Sequence, residues 1–157
     1  MGIQLTQKER MLLEDQKKQE DICVKKYKSF AEHAQDSELK ELFNRLASEE
    51  QHHYDMVNQM LQGQEPDMSH SQQGQQPQSA DNQNQGFQGA MSNQGDEVLC
   101  SDLLATEKYV SGTYDTAVFE AANPIVRQAI QHIQKDEQQH GQDLFNYMNS
   151  HGMYNIK

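Results

Sequence analysis

The chain has no tryptophan, two cysteines, three prolines, and 13 basic residues against 24 acidic ones. Each shortage excludes something. Cys23 and Cys100 stand alone with no Cys-x-x-Cys pair, so neither a zinc knuckle nor an iron–sulfur or rubredoxin-type centre can be built within the chain. Two buried free thiols are expected instead. A formal charge of −11 with no stripe of Lys or Arg leaves no surface to track phosphates, so nucleic acid is not an expected partner. No apolar run is long enough to cross a bilayer, and the N-terminus MGIQLTQKERMLLEDQ lacks the apolar core of a signal peptide. No membrane insertion and a cytoplasmic origin are the expectation. At 157 residues the chain fits one compact domain, 1–157.

Residues 62–95 are Gln, Gly, Asn and Ser with almost nothing apolar. Such a segment cannot offset the entropy of ordering itself and reads as a linker. On either side lie stretches of helical periodicity with helix punctuation. A capping box at Thr6-x-x-Glu9 opens the first helix, which runs to about Gln35. Asp36 caps the second, which stops at Gly63. The third is expected from about Glu97 to Ala122, with Gly112 inside it; a mid-helix glycine costs about 1 kcal/mol and argues for close packing there. Asn123 and Pro124 form a cap-plus-first-turn pair for the fourth, which ends near Gly152.

Short connections make two antiparallel hairpins, 6–61 and 97–151. The second helix is about 37 Å long at 1.5 Å per residue. A flexible linker of this length spans roughly 30 Å on average and reaches much further, so the third helix can start at the opposite end of a four-helix bundle. The halves also repeat at an offset of 87 residues: Glu20 falls on Glu107, Tyr27 on Tyr114, Ala34 on Ala121, Leu46 on Ile133, Glu50 on Glu137 and His53 on His140. Amphipathic helices in general would share apolar positions at such an offset, but have no reason to share inward-facing Glu and His.

Those Glu and His interrupt the apolar stripes. The four stripes read Leu13, Gln16, Glu20, Cys23, Tyr27, Phe30, Ala34; Leu39, Leu42, Leu46, Glu50, His53, Val57, Met60; Cys100, Leu103, Glu107, Val110, Tyr114, Ala117, Ala121; and Val126, Ile130, Ile133, Glu137, His140, Leu144, Tyr147. Four carboxylates and two imidazoles thus point into one core, and no Lys or Arg on any stripe can pair them. Isolated buried carboxylates cost several kcal/mol each and repel one another; two divalent cations would neutralise them. Glu50-x-x-His53 and Glu137-x-x-His140 each present an oxygen and a nitrogen on one helix face, and Glu20 and Glu107 can bridge or chelate from the other two helices. The donor set, without thiolate, suits iron, manganese or zinc. Tyr27 and Tyr114, two turns beyond a Glu, either hydrogen-bond a ligand carboxylate of the opposite hairpin and orient it, or serve as plain core aromatics. Glu49, His52 and Asp136 neighbour the site in sequence but lie off the stripe, as surface residues do. His33, His70, His132 and His151 have no ligand setting.

At these residues the chain resembles the ferritin-like superfamily. The stretches EAANPxxR and DEQQH…LFxYM in the last third are similar to the spore coat protein F family, and SFAEHAQDSELKELFNRLASEEQHH resembles the rubrerythrin-type helix pair. The resemblance implies an all-α, ferritin-like four-helix bundle with a di-metal centre, iron ahead of manganese, possible oxygen or peroxide chemistry, and a place in the mother cell or spore coat. It also implies other coat proteins as partners, while the linker length lets the hairpins pair within one chain or swap between two copies as a homodimer. The alternative it leaves open is a structural coat-assembly protein whose metal only stabilises the bundle. The chain departs from peroxide-reducing rubrerythrins in lacking the four-Cys segment. It also carries Leu104, Val110 and Ser111 near Glu107, with no extra carboxylate for the ligand exchange those enzymes use.

Overall fold

The computed structural model describes residues 2–69 and 94–154; residues 70–93, most of the expected linker, lie outside them. Four helices are present: α1 Gln7–His33, α2 Ser37–Leu61, α3 Gln94–Glu120 and α4 Pro124–Ser150. Their starts follow the punctuation. Thr6 and Glu9 form the capping box, with Glu9 N–H donating to Thr6 Oγ1 at 3.1 Å and Thr6 N–H to Glu9 Oε2 at 2.7 Å. Asp36 and Asn123 cap α2 and α4 through their side-chain oxygens. Gly63, at φ 80°, follows the end of α2: Gln64 N–H reaches Gln59 O and Gly63 N–H reaches Met60 O, the paired bonds of a Schellman stop that needs a left-handed residue.

α3 begins three residues before the expected Glu97. The reason is Asp96, a buried residue of its first turn, whose carboxylate accepts from the backbone N–H groups of Gln35 (2.9 Å) and Asp36 (3.1 Å) in the α1–α2 turn. Glu9 does the same on the other side, accepting from Ala122 (2.8 Å) and Asn123 (2.7 Å) in the α3–α4 turn. Nine plus 87 is 96, so the repeat extends to the groups that tie each hairpin's turn to the other hairpin. These bonds also set the topology. The start of α3 lies at the α1–α2 turn, whereas α2 ends beside the N-terminus, where Ile3 N–H bonds Gly63 O at 2.8 Å. The end of α2 and the start of α3 therefore lie at opposite ends of the bundle, and Met68, just after α2, packs on the core.

α1 packs on α2 and on α3; α4 packs on α3 and on α2. Every stripe position except Phe30 and Leu42 is buried, and those two pack against the core from its edge. The apolar core is in two clusters. Leu13, Met56, Met60, Ile130 and Ile133 lead one; Leu39, Phe43, Leu46, Leu103 and Leu144 lead the other. Both cysteines are free and buried, and burial pushes their thiols up, Cys100 to about 12. Gly112 departs from expectation. It is exposed, and a Cβ built there would meet nothing within 4 Å, so no close packing among the described residues accounts for it.

Candidate metal centre

The polar stripe residues meet in the core. Glu20, Glu50, His53, Glu107, Glu137 and His140 are each at most 3 % exposed. They form two groups whose donor atoms lie within 4.8 Å of one another: Glu20, Glu50, His53 and Glu137 in one, Glu50, Glu107, Glu137 and His140 in the other. Glu50 and Glu137 belong to both. The carboxylates common to the two groups are therefore those of the Glu-x-x-His pairs, while Glu20 and Glu107 each serve one group only.

Both imidazoles turn Nδ1 inward. Nδ1 of His53 lies 3.0 Å from Glu137 and 3.3 Å from Glu50; Nδ1 of His140 lies 2.9 Å from Glu50 and 3.6 Å from Glu107 and Glu137. The rings stack at 5.6 Å between centroids. Their outer nitrogens reach carboxylates that the stripe pattern assigned to the surface. Nε2 of His53 bonds Asp136 at 2.9 Å, and Nε2 of His140 bonds Glu49 at 2.5 Å. Glu49 and Asp136 are thus half-buried partners of the site and not surface residues, and the 87-residue offset relates them. A long imidazole reaches sideways past its own helix face, which a stripe drawn on one helix does not register. The same offset was the signal that could have found them.

Tyr27 donates to Glu107 and Tyr114 donates to Glu20, both at 2.5 Å and both across hairpins. Of the two readings left open for these phenols, contact with a carboxylate of the opposite hairpin is the one realised. His132 lies 3.6 Å from Asp136, outside the central groups. His33 bonds the Ser29 carbonyl on the surface, and His151 stacks on Tyr147 near Asp36 and Glu38 at the bundle end. His70 lies outside the described residues.

The electrostatics follow from four acids in a dry core. Burial raises Glu20, with the charge of Glu50 adding to it; burial and the charges of Glu137 and Glu107 raise Glu50. Glu137 is pushed up to about 7 by burial and by Glu107 and Glu20. Burial also acts on Glu107, but bonds from Glu137, His140 and Tyr27 outweigh it and hold this acid down to about 2. Burial works against the charged form of both imidazoles; their carboxylate bonds prevail, and both are raised well above the ordinary histidine range. Protons thus share the charge of the cluster. One oxygen each of Glu20, Glu107 and Glu137 still receives no hydrogen bond among the described residues. Buried acceptors without donors are uncommon, and two of these lie near an inward imidazole nitrogen: Glu20 Oε2 is 4.0 Å from Nδ1 of His53 and Glu137 Oε2 is 3.6 Å from Nδ1 of His140. This arrangement fits two cations.

The fold and this constellation define a ferritin-like helical bundle. Residues 95–157 match the family model of the Coat F domain, and residues 12–88 match that of Rubrerythrin. No curated protein matches the chain. Among solved structures, the chain is similar to a two-domain protein containing DJ-1/ThiJ/PfpI-like and ferritin-like domains from Anabaena variabilis. The TM-score is 0.69 at 15 % identity, covering 95 % of this chain and 38 % of the other. That likeness concerns the fold. Among the described residues no helix is long and apolar enough to cross a membrane.

Proposed function

We propose that the chain is a di-metal carboxylate protein of the bacterial spore coat that reacts with oxygen or peroxide, its two ions, iron ahead of manganese, held by Glu20, Glu50, His53, Glu107, Glu137 and His140. The observation that carries this reading is two overlapping groups of buried carboxylate and imidazole donors, in which one oxygen each of Glu20, Glu107 and Glu137 has no hydrogen bond among the described residues. The Rubrerythrin match over the first half and the Coat F match over the second supply the chemical and cellular parts of the reading.

Bound iron would supply the electrons and open coordination positions that reduction of oxygen or peroxide needs. The chain's residues do the rest. Glu50 and Glu137, common to the two groups, would be available to either ion, and Glu20 and Glu107 would each serve one of them. Tyr114 and Tyr27 fix one oxygen of each end carboxylate. Asp136 and Glu49 hold a proton on Nε2 of His53 and His140, which leaves the Nδ1 lone pair for the metal. The apolar clusters on either side exclude bulk water from the acids.

The Coat F match also favours a second reading, a coat-assembly protein whose ions only hold the bundle together. Metal analysis of protein purified without chelator should return about two ions per chain, because four inward carboxylates need that charge. Glu50→Ala and Glu137→Ala should each abolish uptake. No metal in native protein, together with failure to take up added Fe(II) or Mn(II), would remove the di-metal proposal. Stoichiometric metal without peroxide consumption would select the assembly reading.

A further inference from the structure

α3 is apolar beyond its core face. Val98, Tyr109 and Phe119 are exposed at 66, 67 and 80 %. Val98, Ala105, Gly112 and Phe119 recur every seven residues, so they lie along one outward stripe, and all four are exposed. Gly112 weakens the helix, and a Cβ there would meet nothing within 4 Å among the described residues. The equivalent position on α1, 87 residues earlier, carries Lys25, bonded to Asp21 at 2.7 Å. A long charged side chain there blocks the close approach that Gly112 permits.

We propose that this outer face of α3 docks on the same face of a second copy, antiparallel, about a twofold axis at Gly112. Charge and shape both meet their complement under that operation. At 1.5 Å per residue, Phe119 lies about 10 Å to one side of Gly112. A groove of about 420 Å³ bordered by Ser101, Leu104, Ala105, Lys108 and Met148 is centred about 11 Å to the other side along the helix. The twofold reverses direction and brings each Phe119 to the other copy's groove. Lys108 lies about 6 Å to one side and Asp115 about 4.5 Å to the other, so each lysine faces the second copy's aspartate. Both are exposed, and neither has an ion-pair partner among the described residues.

The exposed parts of Phe119 and Tyr109 amount to roughly 250–300 Å² per copy, about a third of the ~800 Å² per partner that a stable interface buries. A chain of charge −11 repels itself over most of its surface. The stripe positions Val98, Ala105, Gly112 and Phe119 are uncharged, and the Asp115 beside them is matched by Lys108 of the other copy, which makes this face a place where two copies can meet.

Sedimentation velocity of the full chain tests this. The wild-type chain should be dimeric at tens of micromolar. Phe119→Ser should raise the dissociation constant about a hundredfold, since each dimer loses two anchors. Gly112→Leu favours the helix, so folding is not the obstacle, yet it should dissociate the dimer at least as strongly. Lys108→Asp and Asp115→Lys should each cost about tenfold. An equimolar mixture of those two variants should restore association, because both contacts then join opposite charges. A wild-type monomer at about 100 µM would overturn the proposal. So would a dimer indifferent to Phe119→Ser and Gly112→Leu, or a charge-reversed mixture that stays monomeric.

Discussion

His140 is held between two consecutive residues of α2: Nδ1 lies 2.9 Å from Glu50 and Nε2 lies 2.5 Å from Glu49. Neighbouring side chains on a helix point about 100° apart, and the imidazole spans that angle because its two nitrogens point in different directions. His53 repeats the arrangement between Glu137 and Asp136.

Glu49→Gln and Asp136→Asn should therefore weaken metal binding about 10–100-fold each, while leaving the six inward donors in place. Anaerobic titration with Fe(II) or Co(II) reads the loss. An affinity equal to that of the wild type would show that these carboxylates do not position the ligands.

How much of this was legible beforehand depends on which regularity was followed. The stripes placed Glu20, Glu50, His53, Glu107, Glu137 and His140 inside because period and burial coincide along one helix. They missed Glu9, Asp96, Glu49 and Asp136, which act across helices, where a single helix's periodicity carries no information. The 87-residue repeat does carry it, since 9 maps to 96 and 49 to 136. Gly112 misled for another reason. A glycine shows that something favours a small side chain, and not whether the neighbour belongs to the same chain.

Tyr27→Phe and Tyr114→Phe should destabilise the protein by about 1–3 kcal/mol each, because each leaves a buried carboxylate oxygen without its donor. In a chain of this size that lowers Tm by roughly 3–10 °C. The repeat relates the two tyrosines, so the two shifts should be similar. Thermal melts of metal-free protein would check this, and no shift in either variant would return the phenols to the role of core filler.

Gly112→Ala should stabilise the isolated chain by about 0.5–1 kcal/mol, since a Cβ meets nothing among the described residues and the unfolded chain loses freedom. Urea unfolding at submicromolar concentration, below the range expected for association, is the measurement. Destabilisation there would mean that the site is crowded within the chain.

Glu9 gives a dependence on pH that one substitution isolates. Its carboxylate accepts from Thr6, Ala122 and Asn123, using both oxygens. Burial works to raise it, but the backbone bonds from Asn123, Thr6 and Ala122 and the Thr6 hydroxyl prevail, and it is lowered from 4.5. A group lowered on folding contributes stability that is complete above its unfolded value and is lost as pH falls through the folded one. Glu9→Gln keeps the shape but offers one acceptor oxygen where three N–H groups need two, and its amide faces donors. The substitution should cost about 2 kcal/mol near pH 6. The gap between the two proteins should then narrow as pH falls below about 4, because protonation removes from the wild type what the variant already lacks. The central acids titrate in both proteins and cancel in the difference. Urea unfolding of the pair at pH 6, 4 and 3 decides it: a gap that is constant or widens toward acid would show that the charge of Glu9 does not hold the α3–α4 turn.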